Sequence, residues 1–105
     1  MQPDVSLDTR ATERWLYELW RAAGSDADEA RITAEHLVGA NLAGHDSHGV
    51  SVVPGYVRSL LAGELQLNRR ISIVVDGGGL LVVDGNRAMG QSIAAQTMSL
   101  AIERA

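Results

Sequence analysis

The spacing of the apolar residues changes twice along the chain, and those changes limit the folds open to it. From Ala11 to Leu61 they recur every three or four positions, the repeat of helices that bury one face. Between Ile71 and Val83 they come instead in two runs, Ile71 to Val75 and Leu80 to Val83, parted by Asp76 and Gly77-Gly78-Gly79. This reads as a β-hairpin with a glycine loop. After the turn Asp84-Gly85-Asn86 the helical repeat returns from about Gly90 to the last residue, with Ile93, Ala94, Met98, Ala101 and Ile102 on its buried side. The class is therefore α+β: an antiparallel helical hairpin, a third helix, a β-hairpin and a C-terminal helix. A length of 105 residues supports one domain, 1–105.

Punctuation places the first three helices. Asp8 or Thr9 can cap a helix whose stripe is Ala11, Trp15, Leu19 and Ala23, with Gly24 as the residue that ends it. Ser25 or Asp26 opens the second, and Glu29 stands three residues after Asp26 as in a capping box. Its inner stripe is Ala30, Ala34, Leu37, Val38 and Asn41, and it ends at Gly44. The very short turn between the two makes them pack antiparallel. The third begins near Val50 or Ser51, tolerates Pro54 in its first turn and ends at Gly63. Its apolar side is Val53, Val57, Leu60 and Leu61, and Leu65 to Arg70 reads as a linker.

Composition then removes whole classes of chemistry. There is no cysteine, so disulfides, thiolate metal sites and a cysteine nucleophile are excluded. All nine basic residues are arginine, which excludes a Schiff-base lysine and the lysine of a P-loop. A formal charge of −4 with no basic run argues against nucleic acid or an anionic membrane as partner. The opening residues MQPDVSLDTR lack the pattern of a secretory leader, and no stretch has the apolar length of a membrane span. The expected location is cytoplasmic. A lone hairpin needs something to pack on, and the final helix runs to Ala105 without a breaker. Both lead to the expectation that the chain is part of something longer.

The candidate chemistry lies in Gly44-His45-Asp46-Ser47-His48-Gly49, between two helices. Histidine titrates near neutral pH and can serve as acid or base without a large shift. Ser47 and Asp46 are both near enough in sequence to orient an imidazole. Equally, imidazoles at a helix C-terminus can simply satisfy its last carbonyls. The segment is not a serine-hydrolase elbow: position 45 is histidine rather than glycine, and a helix rather than a strand precedes it. His36, His45, His48 and Asp46 are ligand types but lack an H-x-x-x-H pair, and no metal is expected. Gly85 to Ser92 imitates a P-loop with Gln91 at the lysine position, so its glycines are read as a tight strand-to-helix turn. Trp15, Tyr17 and Trp20 read as core or interface groups rather than a base-stacking platform.

The run Asn41-Leu42-Ala43-Gly44-His45-Asp46-Ser47-His48-Gly49-Val50, followed by Pro54, Tyr56-Val57, Leu60, Gly63 and Asp84-Gly85, resembles the N-terminal part of the malate/L-lactate dehydrogenase family. This is the non-Rossmann group of nicotinamide-dependent 2-hydroxyacid dehydrogenases, and the likeness is strongest to its bacterial hydroxycarboxylate branch. The resemblance implies an oxidoreductase that uses NAD or NADP to interconvert small 2-oxo and 2-hydroxy acids, and a homo-oligomer such as a homodimer. It implies that His48 is the proton donor and Ser47 its relay, with His45 a candidate substrate contact. Two departures stand out. Many family members carry an arginine four residues after the histidine to hold the substrate carboxylate, whereas this chain has Val52 there, and Arg58 lies six residues further on. Family members are also much longer, and their dinucleotide-binding loops and relay aspartate fall beyond the matched segment. The isolated chain is therefore expected to turn over little substrate. A rival reading is a non-catalytic helical interaction module built on the same sequence.

Overall fold

The computed structural model describes residues 6–105, which fall into two compact units that divide between Ser51 and Val52. The first unit holds α1 (Thr9–Ala23), α2 (Ala27–Leu42) and a three-residue 3-10 turn, Asp46–His48. The second holds α3 (Val53–Leu61), the strands β1 (Ser72–Gly77) and β2 (Leu80–Asp84), and α4 (Gly90–Arg104). A further 3-10 turn, Val50–Val52, leads into α3. The α+β class stands.

The caps are those the sequence signals. Asp8 accepts from the Ala11 amide at 2.8 Å, and Asp26 accepts from the Glu29 amide at 2.8 Å. Each satisfies an amide that a helix start would leave orphaned. Gly24 closes α1 at φ 117°, a left-handed conformation that only glycine reaches without strain. Beneath the second cap, Ser25 Oγ donates to Glu29 Oε2 at 2.6 Å in a buried pair, so the Glu29 carboxylate enters the interior with a partner.

α1 and α2 pack on each other across the three residues that join them. α2 buries Ala30, Thr33, Ala34, Leu37 and Val38, the i, i+3, i+4, i+7, i+8 stripe of an amphipathic helix. α1 answers with Leu16 and Trp20, both fully buried. The expected α1 stripe is thus one position out: Trp15 is 56% exposed and Leu19 only half-buried. Two neighbouring apolar stripes run along this helix, 15/19 and 16/20, and the repeat alone cannot say which one faces α2. Burial of a side chain such as Leu16 or Leu37 contributes about 1.5–3 kcal/mol.

In the second unit Pro54 occupies the first turn of α3, where its missing amide costs nothing. Gly63, at φ +78°, follows the helix. β1 and β2 pair antiparallel, with Gly77 opposite Leu80 and a bulge between Ile73 and Val75. The two residues of the turn, Gly78 and Gly79, both have positive φ, as a type I′ hairpin requires. β1 begins at Ser72 rather than Ile71 because the Ile71 amide donates to Gln96 Oε1 of α4 at 3.1 Å.

The turn from β2 into α4 is built differently from the sequence expectation. Its left-handed residues are Asn86 and Arg87, at φ 56° and 61°, not the glycines. Gly85 serves close approach instead, since a Cβ there would stand 3.3 Å from Ile93 Cγ2. The expected apolar side of α4 is also overturned: Met98, Ala101 and Ile102 are exposed, and Ser92 is its buried residue. Polar contacts tie this helix to the rest of its unit. Gln91 Nε2 donates to Tyr56 Oη at 3.1 Å, Gln96 reaches both Ile71 and Ser92, and Arg104 Nε meets Asp76 Oδ2 at 2.7 Å.

Candidate active site

α2 ends at Leu42, and the chain reverses through Gly44 at φ 85° into the short turn that carries the site. The His45 amide donates back to the Ala40 carbonyl at 2.8 Å, and the His48 amide donates to the His45 carbonyl at 2.9 Å. This tight winding puts side chains of adjacent residues on one side. Ser47 Oγ and His48 Nδ1 are 3.0 Å apart, and the rings of His45 and His48 stand edge to face with centroids 6.5 Å apart. All four residues from His45 to His48 are exposed.

Of the two partners the sequence offers His48, the structure uses Ser47. Asp46 turns the other way and accepts from Asn41 Nδ2 at 2.7 Å. With Nδ1 engaged, His48 Nε2 has no hydrogen-bond partner among the described residues, and the residue is exposed. A depression of about 280 Å³ beside the turn is lined by Leu7, Thr12, Val38, Leu42 and Asp46 among others, and neither Ser47 nor His48 contributes to it. The imidazole is therefore not sealed in the apolar interior of its unit. His36 is exposed on α2, and among the described residues no group of three His, Asp or Glu side chains is arranged to hold a metal ion. No described helix is long and apolar enough to cross a membrane.

Asn41 is the site residue that the sequence reading missed. It stood there as the last member of the inner stripe of α2 and as the first residue of the family-like run, with no role of its own. Its amide turns out to bind both ends of the histidine turn, because Oδ1 also accepts from the Val50 amide at 2.8 Å.

This exposed histidine turn at the end of a helical hairpin, followed by a β-hairpin and a helix, places the chain among the malate/L-lactate dehydrogenases: it belongs to that family, whose model matches residues 7–105. Hydroxycarboxylate dehydrogenase B of Escherichia coli O157:H7 is 42% identical over all 105 residues, and these make up 29% of that protein. The malate dehydrogenase of Pyrococcus abyssi is 38% identical over 82 residues, which is 78% of this chain and 23% of the relative. Among solved structures, L-sulfolactate dehydrogenase from Methanocaldococcus jannaschii superposes with a TM-score of 0.87 at 30% identity, covering 93% of this chain and 28% of that one. Malate dehydrogenase from Pyrococcus horikoshii gives a TM-score of 0.88 at 27% identity, covering 95% of this chain and 29% of that one. The chain thus spans less than a third of the length of these relatives.

Proposed function

We propose that the chain is the N-terminal part of a cytoplasmic, homo-oligomeric NAD(P)-dependent oxidoreductase that interconverts small 2-oxo and 2-hydroxy acids, and that His48 is its acid and base. The observation that carries this reading is the Ser47–His48 pair, 3.0 Å apart on an exposed turn with Nε2 open. Reduction of a carbonyl leaves negative charge on its oxygen, and an imidazolium at that oxygen stabilises the charge and supplies the proton. As the imidazolium, His48 donates through Nδ1 to Ser47 Oγ and through Nε2 to the substrate oxygen. Once the Nε2 proton has left, the ring keeps its Nδ1 proton, which still donates to Ser47 Oγ. That tautomer leaves the Nε2 lone pair ready to take the hydroxyl proton of a 2-hydroxy acid in the reverse direction. Ser47 therefore acts on the ring without itself changing protonation state. His45, whose ring centroid is 6.5 Å from that of His48, is the candidate contact to the same small acid.

A nicotinamide supplies the hydride when bound, but the described residues do not by themselves fit a dinucleotide. The single described strand-to-helix turn, from β2 to α4, has Met89 at the helix cap with no side-chain bond, and Gln91 is engaged with Tyr56. Residues outside this segment would have to hold the cofactor. The Val52 position likewise leaves the substrate carboxylate without the arginine common in the family.

The test is His48→Gln and His48→Ala in the family-length protein that carries this segment, assayed with 2-oxo acids and reduced nicotinamide. The expected loss in kcat is about 10²- to 10⁴-fold. Turnover near the parent rate in both variants removes the assignment. The non-catalytic module remains a second reading because Ile73, Val74, Val75, Leu80 and Val82 of the hairpin are all exposed. A dinucleotide titration of the family-length protein separates the two: nicotinamide binding supports the oxidoreductase, and self-association without any nicotinamide binding favours the module.

A further inference from the structure

The turn that presents Ser47 and His48 is fastened by a side chain outside it. Asn41 sits in the last turn of α2, half-buried, and its carboxamide makes two different bonds. Nδ2 donates to Asp46 Oδ1 at 2.7 Å, while Oδ1 accepts from the Val50 amide at 2.8 Å. One planar group thus ties the residue before Ser47 to the second residue after His48. Between those ends lies Gly49, buried, with its backbone so close to the amide that a Cβ would overlap the Asn41 side chain. Ser51 Oγ adds a bond to the Asp46 carbonyl at 2.9 Å, at the same end of the turn.

We propose that Asn41 is the positioning residue of this turn. By holding Asp46 and Val50 on either side of Gly49 it sets the backbone on which Ser47 Oγ and His48 Nδ1 meet and, with Nδ1 donating to Ser47 as proposed above, holds the ring tautomer whose Nε2 lone pair is free. Asn41 acts through Asp46, Gly49 and Val50 and needs no contact with substrate. The titratable groups around the pair are Asp46, bound to Asn41 itself, and His45, whose ring is edge-on to His48. The functional weight of this arrangement rests on the role proposed for His48, but the arrangement itself can be measured without it.

The experiment uses the ¹⁵N-labelled 105-residue chain, reading the His48 ring nitrogens by long-range NMR correlation and the Val50 amide by hydrogen exchange. The parent is expected to show neutral His48 protonated mainly at Nδ1, and a protected Val50 amide. Asn41→Ala is expected to speed Val50 exchange about fivefold or more, the loss of one net hydrogen bond, and to shift His48 toward a mixture of tautomers. Asn41→Asp keeps the acceptor for Val50 but sets two carboxylates against each other, so it should disturb the His48 ring at neutral pH. Combining it with Asp46→Asn exchanges the donor and acceptor ends of the pair and should restore both readouts, which a loss of bulk or general loosening would not allow. Ser47→Ala should alter the His48 tautomer while leaving Val50 protected.

Unchanged His48 ring shifts and Val50 exchange in a folded Asn41→Ala chain overturn the proposal. Should Asn41→Ala not fold, the double variant decides: failure to recover the parent signals counts against it. None of these readouts uses substrate or cofactor. Loss of the proposed acid–base role, seen as full turnover in His48→Gln, is therefore distinguishable from loss of the Asn41 role.

Discussion

Ser47 Oγ lies 3.0 Å from His48 Nδ1 although the two residues are neighbours in the chain. In a strand, adjacent side chains point to opposite faces. Only a tight winding such as the turn Asp46–His48 brings them together, so the pairing is a property of local backbone as much as of residue type. Replacing Ser47 with alanine should lower kcat of the family-length protein about 10- to 100-fold, the worth of one hydrogen bond to a charged ring, with little change in KM. Steady-state kinetics with a 2-oxo acid check this, and an effect as large as that of His48→Ala would give Ser47 a heavier role than orientation.

Gly49→Ala tests the space inside the turn. The added methyl meets the Asn41 carboxamide, a half-buried group bound at both ends, and overpacking of this kind costs about 1–3 kcal/mol. Urea denaturation should show a lower midpoint, and hydrogen exchange should be fastest to change at Val50. Alanine at Gly44 should also destabilise, but through its backbone at φ +85°, because nothing lies within 4 Å of a Cβ there.

The start of α2 gives a stability prediction independent of the site. Asp26→Ala removes the acceptor for the Glu29 amide and should cost about 0.5–2 kcal/mol. Asp26→Asn keeps a capping oxygen and should cost much less. Circular dichroism during urea titration separates the two, and equal losses would mean that the cap contributes nothing specific.

The packing of α1 on α2 is checked by a pair of truncations one residue apart. Leu16→Ala should cost about 2–5 kcal/mol because the side chain is fully buried. Trp15→Ala, at a side chain more than half exposed, should cost far less despite removing more atoms. The reverse order would show that the helix is rolled toward the 15/19 stripe.

Much of this fold can be read from residues whose effect is local. Asp8, Gly24, Asp26 and Gly63 act on their own backbone, and the structure finds each doing so at or beside a helix end. Gly78 and Gly79 likewise specify their turn. Helix rolls were not legible, because which stripe of α1 or α4 turns inward depends on partners outside the helix itself. For α4 the deciding groups are polar, Gln91 and Gln96, which a search for apolar periodicity passes over. The same division holds at the site. The polar cluster from His45 to His48 was evident from residue type and position, the choice of His48 and Ser47 within it came from the family resemblance, and Asn41 looked like one more inward position on α2. Its part depends on the chain folding back so that Val50, nine residues later, meets its oxygen.

The overlap between Asn41 and a side chain at position 49 has an evolutionary corollary. Two sites eight residues apart compete for one small volume, so neither can drift freely while the other stays as it is. A larger residue at 49 requires the Asn41 side chain to move aside or to shrink, and either change gives up the ties to Asp46 and Val50. Substitution by substitution, the route to a different loop here passes through a less ordered one.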